Sequence, residues 1–322
     1  MIDGRVFVTR RVDDEALRLL KADFVEVDVW EHERPPAPDE LRRRAAGCLA
    51  LVTMLTERVD AALLDAARSV RVVANVATGY DNFDVEAARA RGVRLSNTPN
   101  VLEETTADLA LALLLASARR IVETAEAARN GRWGPWDPRG WLGVDAHGAT
   151  LGIVGMGKIG GAVARRARGF DMRVRYTSRQ RHGDAERETG ASFVPTLEEL
   201  LREADFVSLH VPLTVDTRNL MDKAAFAAMK PSATLINTSR GGVVDQDALL
   251  DAVRRGHIRG AALDVTTPEP LPPEHPLFRE PRVLITPHIG SATETTRRRM
   301  AVMAVRNVIA ACAGRHMPSE IA

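Results

Sequence analysis

The chain has 322 residues, enough for two domains that each bury a hydrophobic core. Its hydrophobic fraction of 45% and charged fraction of 27% are typical of a soluble globular protein, and a net charge of +1 gives no reason to expect nucleic acid or a membrane as a partner. Cys48 and Cys312 lack metal-type spacing and fit a reducing cytoplasm as small buried residues. We expect no signal peptide, and the most apolar stretch, residues 109–116, is too short to span a bilayer.

Strands and helices alternate along the first hundred residues. The pattern predicts strands at 6–9, 25–30, 48–53, 70–76 and 93–95 and helices at 13–21, 39–46, 61–68 and 84–91. Such alternation is typical of a parallel α/β sheet. Nothing in this part of the chain resembles a phosphate-binding glycine loop.

A long helix is predicted over residues 101–118, with Asn100 and Glu103 as its capping box. The segment that follows, residues 130–148, is rich in glycine and proline and carries three of the four tryptophans, Trp133, Trp136 and Trp141. Such a segment is too apolar to be left in water. It either buries its own aromatic rings or packs on another subunit, and we favour the second interpretation.

The strongest motif is a glycine-rich turn with Gly155, Gly157 and Gly160 in the spacing Gly-x-Gly-x-x-Gly. A predicted strand at 151–154 precedes it, and a helix at 158–168 and a second strand at 172–176 complete a βαβ unit. The first glycine permits the tight turn, the second lets a pyrophosphate approach the backbone, and the third lets the helix pack on the strand. Because the helix N-terminus also offers free N–H groups, the unit predicts dinucleotide binding.

The remaining elements complete a second doubly wound unit. Strands are predicted at 192–194, 205–209, 234–237, 260–263 and 283–286, and helices at 196–203 and 245–255. Thr196 with Glu199 forms a capping box, and the last helix should begin at Ser291, capped with Glu294, and run to about residue 313. Two such units in tandem predict a ligand cleft between them.

Three chemically suggestive side chains follow neighbouring strands of that second unit. Arg240, Glu269 and His288 come after the strands at 234–237, 260–263 and 283–286. Because the carboxyl ends of parallel strands meet at one edge, we expect an anion clamp, an orienting base and a proton donor to converge there. Singly, each also fits an ordinary surface or loop position.

The choice of cofactor depends on the end of the second strand of the βαβ unit. Dinucleotide-binding proteins that prefer NAD carry a carboxylate there. This chain has Thr177, Ser178 and Arg179, followed by Arg181, so nothing repels a 2′-phosphate and Arg179 is available to bind it. The sequence therefore predicts NADP(H), with NAD(H) as the alternative cofactor and a solvated arginine pair as the alternative interpretation.

Four motifs in order resemble the D-isomer-specific 2-hydroxyacid dehydrogenases. They are Gly155-x-Gly157-x-x-Gly160, Asn237-Thr-Ser-Arg240-Gly-Gly-Val-Val-Asp245, Leu263-Asp264-Val265 with Pro268-Glu269-Pro270, and Thr286-Pro-His288-Ile-Gly290-Ser-Ala. Within the family the chain most resembles glyoxylate/hydroxypyruvate reductases, through Gly79-Tyr-Asp-Asn-Phe-Asp84, Tyr176-Thr-Ser-Arg-Gln180 and Met317-Pro-Ser-Glu320.

The resemblance implies two flavodoxin/Rossmann-like doubly wound parallel-sheet domains with a cleft between them. A substrate-binding (catalytic) domain would comprise residues 1–99 and 289–322, and an NAD(P)-binding domain residues 100–288, with a dimerisation loop at about 119–148. The implied assembly is a cytoplasmic homodimer. Trp141 matches, with a one-residue gap, a tryptophan that reaches the partner's active site.

The implied reaction is NAD(P)H-dependent reduction of small 2-oxo acids such as glyoxylate and hydroxypyruvate. His288 protonates the developing alkoxide, Arg240 holds the carboxylate and carbonyl oxygen, and Glu269 favours the charged imidazole. We expect Glu269 to outweigh the field of the helix predicted to begin just after His288.

Further residues are implied by the resemblance. Thr78 and Gly79 donate backbone N–H groups to the substrate carboxylate, and Thr78, where the family more often has Val, could change the polarity of the pocket. Met54 and Leu55 line the side-chain pocket or pack in the core. Cofactor contacts are implied for Thr106, Gly155, Gly157, Lys158, Ile159, Gly160, Ser178, Arg179, His210, Pro212, Thr217, Thr238, Asp264, at the carboxamide side of the nicotinamide, and Gly290.

Other functions fit less well. A dehydrogenase of phosphoglycerate or lactate type is the second enzyme interpretation, although we expect no C-terminal regulatory domain. Formate dehydrogenases of this fold place Gln where Glu269 stands. NAD(H)-sensing co-repressors share the fold and the Arg, Glu and His set, but no interaction tail is apparent. The eight histidines show no paired ligand spacing, so no metal is expected.

Overall fold

The computed structural model describes residues 1–321, which form two compact units. The first comprises Met1–Leu102 and the chain from Ser291 onward, and the second comprises Glu103–Gly290. The unit boundaries therefore lie three and two residues beyond those expected from the sequence. No helix among the described residues is both long and apolar enough to cross a bilayer.

Strands and helices alternate in both units. The strands are β1 (Ile2–Val8), β2 (Phe24–Val29), β3 (Cys48–Thr53), β4 (Val72–Asn75), β5 (Arg94–Ser96), β6 (Thr150–Val154), β7 (Arg173–Thr177), β8 (Ser192–Phe193), β9 (Phe206–Leu209), β10 (Thr234–Asn237), β11 (Gly260–Leu263), β12 (Val283–Ile285) and β13 (Glu320–Ile321). The helices are α1 (Asp14–Asp23), α2 (Pro38–Ala45), α3 (Ala61–Ala66), α4 (Val85–Ala90), α5 (Glu103–Ala118), α6 (Ile121–Arg129), α7 (Lys158–Ala167), α8 (Gly183–Thr189), α9 (Leu197–Glu203), α10 (Lys223–Ala228), α11 (Gln246–Arg254) and α12 (Glu294–Cys312).

The first unit is a six-stranded sheet in the order β13-β5-β4-β3-β1-β2. All pairs are parallel except β13 with β5. Its strands are apolar on both faces: Val6 and Val8 pack with α1 and α12, whereas Phe7 packs with α2 and α3 on the opposite face. Burial of both faces explains why these strands are continuous apolar runs.

The second unit is a wholly parallel seven-stranded sheet in the order β12-β11-β10-β9-β6-β7-β8. Helices α5 and α7 cover one face and α9, α10 and α11 cover the other. Strand β6 has β7 on one side and β9 on the other, so the strand order reverses at its carboxyl end. Ligands of doubly wound sheets bind at this kind of switch point. The predicted fold class of parallel-sheet α/β domains is confirmed.

Three helices were not predicted from the sequence. Helix α6 occupies the start of the segment expected as a loop over 119–148. Helix α8 is composed almost entirely of charged and small residues, so it has no apolar periodicity to detect. Helix α10 has only six residues. Short or polar helices of this kind depend on tertiary contacts rather than on their own pattern.

The predicted cap at Thr196 is confirmed, because its side chain accepts a hydrogen bond from the Glu199 N–H. Two other predicted helix starts were wrong. Helix α5 begins at Glu103, and Asn100 has a φ of 63° instead of the extended backbone of an N-cap. Helix α12 begins at Glu294, and its N-cap is Thr293 rather than Ser291. Cys48 is buried as expected, but Cys312 is only half-buried.

Candidate active site

The glycine-rich turn joins β6 to α7 at the switch point. Gly155 has a φ of 97°, and a Cβ on it would lie 2.7 Å from the carbonyl oxygen of His210. A Cβ on Gly160 would lie 2.2 Å from the carbonyl oxygen of Gly155, whereas one on Gly157 would meet nothing within 4 Å. Gly157 is the N-cap of α7 and no side chain caps the helix. The turn therefore leaves open space beside a helix N-terminus, as a pyrophosphate requires.

The candidate catalytic residues Arg240, Glu269 and His288 follow three neighbouring strands, β10, β11 and β12, whose carboxyl ends are level. Asn237 of β10 pairs with Leu263 of β11, and Leu263 pairs with Ile285 of β12. The segments that carry Arg240, Glu269 and His288 therefore leave the sheet at one edge. The register thus agrees with the expected position of the three segments at one edge of the sheet.

His288 is paired with Glu269. Its Nδ1 atom lies 2.8 Å from Oε2 of Glu269, and the other carboxylate oxygen, Oε1, accepts a hydrogen bond of 3.0 Å from the Thr266 N–H. A carboxylate oxygen accepts, so Nδ1 is the donor of this pair. Helix α12 begins six residues after His288, three residues later than the sequence predicted.

Asp264 fixes the segment that carries His288. Its Oδ1 atom accepts from the Thr286 hydroxyl at 2.7 Å and the Ile289 N–H at 2.8 Å, and its Oδ2 atom accepts from the Gly290 N–H at 2.8 Å. The His288 N–H donates to the Asp264 carbonyl oxygen at 2.9 Å. Burial raises the pKa of Asp264, and these donors oppose the rise. They hold His288 at a φ of 53°.

Arg240 lies in the turn after β10. This turn comes close to the segment after β11 because residue 241 is a glycine. Its carbonyl oxygen accepts from the Asn237 side chain at 2.9 Å, and its Nη1 atom donates to the Ser239 carbonyl oxygen at 2.9 Å. A Cβ on Gly241 would lie 2.0 Å from the carbonyl oxygen of Thr266. The turn after β10 therefore packs directly against the segment that holds Glu269.

The remaining cofactor candidates all lie in the second unit. Burial lowers the pKa of His210 to about 4, and its Nε2 atom lies 2.8 Å from the Ser208 hydroxyl, so the ring is neutral at physiological pH. The Thr217 hydroxyl donates to the Pro212 carbonyl oxygen at 2.6 Å.

The cofactor candidates Lys158 and Ile159 lie in the first turn of α7. The remaining candidates with notable contacts are two threonines, Thr106 and Thr238. The Thr106 hydroxyl donates to the Gly290 carbonyl oxygen at 3.1 Å. The Thr238 hydroxyl is buried and has no hydrogen-bond partner among the described residues. A buried orphan of this kind at the strand edge, together with the open glycine turn, fits the dinucleotide that the sequence predicts.

The two arginines after β7 have different surroundings. Arg181 donates to both carboxylate oxygens of Glu186, at 2.7 and 2.8 Å, and the Tyr176 hydroxyl donates to the same carboxylate at 2.7 Å. Arg181 and Tyr176 together lower the pKa of Glu186 to about 2. Ser178 donates to the Gln180 carbonyl oxygen. Arg179 is exposed, so the pair expected from the sequence separates into one held guanidinium and one open to solvent.

The substrate candidates Met54, Leu55, Thr78 and Gly79 are half-buried in the first unit, in the segments after β3 and β4. The Thr78 hydroxyl donates to the Thr98 carbonyl oxygen at 2.9 Å. The proton of this hydroxyl is therefore donated within the protein. Neither the Thr78 nor the Gly79 N–H donates to any described residue, which leaves both for a ligand.

The tryptophan segment is largely exposed in a single chain. Trp133 is 84% and Trp136 is 87% exposed, whereas Trp141 is 44% exposed and stacks on the Arg120 guanidinium at 5.3 Å. The described segment therefore does not bury its own indole rings, which was the alternative weighed from the sequence.

Comparison with known proteins identifies the family. Residues 111–290 match the family model of the D-isomer specific 2-hydroxyacid dehydrogenase NAD binding domain. The chain belongs to the D-isomer-specific 2-hydroxyacid dehydrogenases. It is 49% identical to a glyoxylate reductase of Korarchaeum cryptofilum over 98% of this chain and 95% of that protein.

Comparison with solved structures agrees with that assignment. A protein of Thermus thermophilus superposes with a TM-score of 0.91 at 49% identity, over 99% of this chain and 100% of that one. An NADPH-dependent glyoxylate/hydroxypyruvate reductase of Sinorhizobium meliloti gives 0.83 at 31%, over 99% and 98%. The protein is an enzyme of this family, and its second unit is the nicotinamide dinucleotide-binding domain.

Several polar residues around the dehydrogenase site were missed from the sequence. Thr286 and Thr266 hold Asp264 and Glu269, and Glu57, Asn75 and Asn82 hold the segments after β3 and β4. Polar residues in or just after otherwise apolar strands were the available signal for Asn75 and Thr286. The pairing partners could not be read from sequence separation.

Proposed function

We propose that this dehydrogenase reduces glyoxylate and hydroxypyruvate to glycolate and D-glycerate with NADPH. The observation that carries the proposal is the 2.8 Å pair between His288 and Glu269, at the sheet edge from which the Arg240 segment also leaves. The relatives named glyoxylate reductase support the substrate class. The first unit would bind substrate and the second the cofactor.

The residues divide the reaction among them. The nicotinamide, when bound, supplies a hydride to C2 of the 2-oxo acid. His288 gives the proton of Nε2 to the carbonyl oxygen, so that the C=O bond becomes C–OH, and Glu269 stabilises the imidazolium until then. Arg240 binds the carboxylate and the carbonyl oxygen, since its planar guanidinium matches both. The N–H groups of Thr78 and Gly79 would also bind the carboxylate.

A substrate panel tests the function. Initial rates with glyoxylate, hydroxypyruvate, pyruvate and phosphohydroxypyruvate should be measured with NADPH and with NADH. We expect the highest kcat/KM with glyoxylate or hydroxypyruvate and NADPH. A clear preference for pyruvate or phosphohydroxypyruvate would favour the lactate or phosphoglycerate type, and no turnover with any pair would refute the proposal.

Arg179→Ala should lower kcat/KM for NADPH by roughly 10- to 100-fold, because a charge-assisted hydrogen bond to the 2′-phosphate is lost. The value for NADH should stay within about twofold, since NADH lacks that phosphate. Arg187→Ala is the matched control, because Arg187 is exposed on α8 and pairs with Asp184. An equal loss for both cofactors would mean that Arg179 does not read the 2′-phosphate.

Glu269→Gln should lower kcat/KM for glyoxylate by roughly 10- to 100-fold, because His288 Nδ1 loses the hydrogen bond to a charged partner that orients the ring. The measurement is the initial rate of glyoxylate reduction with NADPH, with Glu274→Gln, an exposed acid on the same connection, as the control. An unchanged kcat/KM contradicts the proposed role of Glu269.

The assembly and location are part of the same proposal. We infer a cytoplasmic homodimer in which the segment at about 119–148 forms the interface and Trp141 reaches the partner's site. The exposure of Trp133 and Trp136 supports an interface, since large apolar side chains in one segment are rarely left in solvent. Sedimentation of the purified protein measures the oligomeric state.

A further inference from the structure

Three consecutive peptide groups after β4 have their carbonyl oxygens held by the protein. The Ala77 carbonyl accepts from the Thr98 N–H at 2.9 Å, the Thr78 carbonyl from the Asn97 side chain at 2.7 Å, and the Gly79 carbonyl from the Asn75 side chain at 3.0 Å. In a trans peptide the carbonyl and the next N–H point in opposite directions. Because the protein holds these three carbonyls, the N–H group of each of the three peptides points away from the donor that binds its carbonyl oxygen.

Those three N–H groups belong to Thr78, Gly79 and Tyr80. None of them donates to another described residue; Thr78 and Gly79 are half-buried and Tyr80 is exposed. Successive unpaired N–H groups in a turn can form a concave site for an anion. The sequence pointed to two of these donors, whereas Tyr80 and the asparagines that orient the row become evident only from the contacts.

Hydrogen bonds of Asn82 connect the residues that carry these N–H groups to the segment after β3. Asn82 donates from Nδ2 to the carbonyl oxygens of Met54, at 3.2 Å, and Glu57, at 2.8 Å, and its Oδ1 accepts from Asn75 at 3.1 Å. Asn75 is fully buried, so it is held in one orientation while it contacts both Gly79 and Asn82. Movement of one segment must therefore disturb the other.

A buried carboxylate closes the segment after β3. Glu57 is 3% exposed, and its Oε2 atom accepts from the Thr9 hydroxyl at 2.6 Å and the Met54 N–H at 2.7 Å. Its Oε1 atom accepts from the Thr56 hydroxyl at 2.5 Å and lies 3.9 Å from an Arg10 nitrogen. The carboxylate thus fixes the turn that presents Met54 and Leu55.

We propose that Asn97, Asn75 and Asn82 are positioning residues that hold a three-donor site for the substrate carboxylate at the N–H groups of Thr78, Gly79 and Tyr80. Through Asn82, Glu57 couples that site to the turn at Met54 and Leu55 and so limits the size of the substrate side chain. This inference rests on the proposed reduction of 2-oxo acids. None of the four residues need touch the reacting atoms.

Asn97→Ala tests the orientation of the row. We expect KM for glyoxylate and the inhibition constant of oxamate, a 2-oxo acid analogue, to rise about 10-fold, as one oriented donor is lost. The dissociation constant of NADPH, measured by fluorescence titration, should stay within about twofold, and kcat should change less than KM. Lys21→Ala, at an exposed position in the last turn of α1, is the control and should change none of these values.

Asn82→Ala is the second variant, because it removes the link from a different side of the network. It should raise the same two constants and also increase the ratio of kcat/KM for hydroxypyruvate to that for glyoxylate, since the turn at Met54 loosens. Melting temperatures verify that each variant is folded at the assay temperature. A folded variant with unchanged KM and oxamate inhibition overturns the positioning role, whereas failure of the unmodified enzyme to reduce any 2-oxo acid overturns the proposed function itself.

Discussion

His288→Asn should lower kcat for glyoxylate reduction by about 10²- to 10⁴-fold, the usual contribution of a positioned general acid. Asparagine cannot supply the proton, yet it tolerates the left-handed backbone that His288 adopts at a φ of 53°. The segment should therefore stay in place, because its hydrogen bonds to Asp264 use backbone N–H groups and the Thr286 hydroxyl.

Single-turnover and steady-state rates measure the loss in His288→Asn. NADPH affinity should be unchanged, since the substitution removes only the ring. His257→Asn, at an exposed histidine after α11, is the matched control and should keep full activity. If His288→Asn kept more than a tenth of kcat, the proton would have to come from another group.

Arg240→Lys should lower kcat/KM for glyoxylate by about 10²- to 10³-fold, the range found when one donor to a developing oxyanion is removed. Lysine keeps the charge but loses the planar fork that can contact the carboxylate and the carbonyl oxygen together. The turn itself should persist, because Asn237 binds the backbone carbonyl of residue 240 and not its side chain.

The control for Arg240 is Arg254→Lys in the last turn of α11, where the side chain is exposed. The oxamate inhibition constant should rise together with KM in Arg240→Lys and stay constant in the control. If Arg240→Lys bound oxamate as tightly as the unmodified enzyme, the arginine would not be the residue that binds the carboxylate.

Much of the fold followed from local patterns. Strands β3, β10 and β11 were predicted with the bounds that the structure has, because both faces of each are buried and each is a short apolar run. The sequence was a poorer guide to the residue at which a helix begins. Ser291 with Glu294 matches the capping-box pattern, whereas the N-cap of α12 is Thr293, which is followed three residues later by Thr296 and does not match it.

The candidate site shows the same division. The roles of the glycine turn follow from spacing alone, since a Cβ at Gly155 or Gly160 would meet backbone atoms of the turn or of the neighbouring segment. By contrast, Arg179 and Arg181 look equivalent in the sequence, and the fold separates them because Tyr176 and α8 bring Glu186 to Arg181.

The sequence by itself determined the two α/β units and the glycine-rich turn, because these depend on residue type and on periodicity along one strand or helix, and it singled out Arg240, Glu269 and His288 as candidates. The tertiary structure alone decided which polar groups meet: Asp264 with the segment around His288, and Asn82 with the carbonyls of Met54 and Glu57. Those contacts join residues about 25 positions apart, and their partners are selected by strand order and register, which no local pattern encodes.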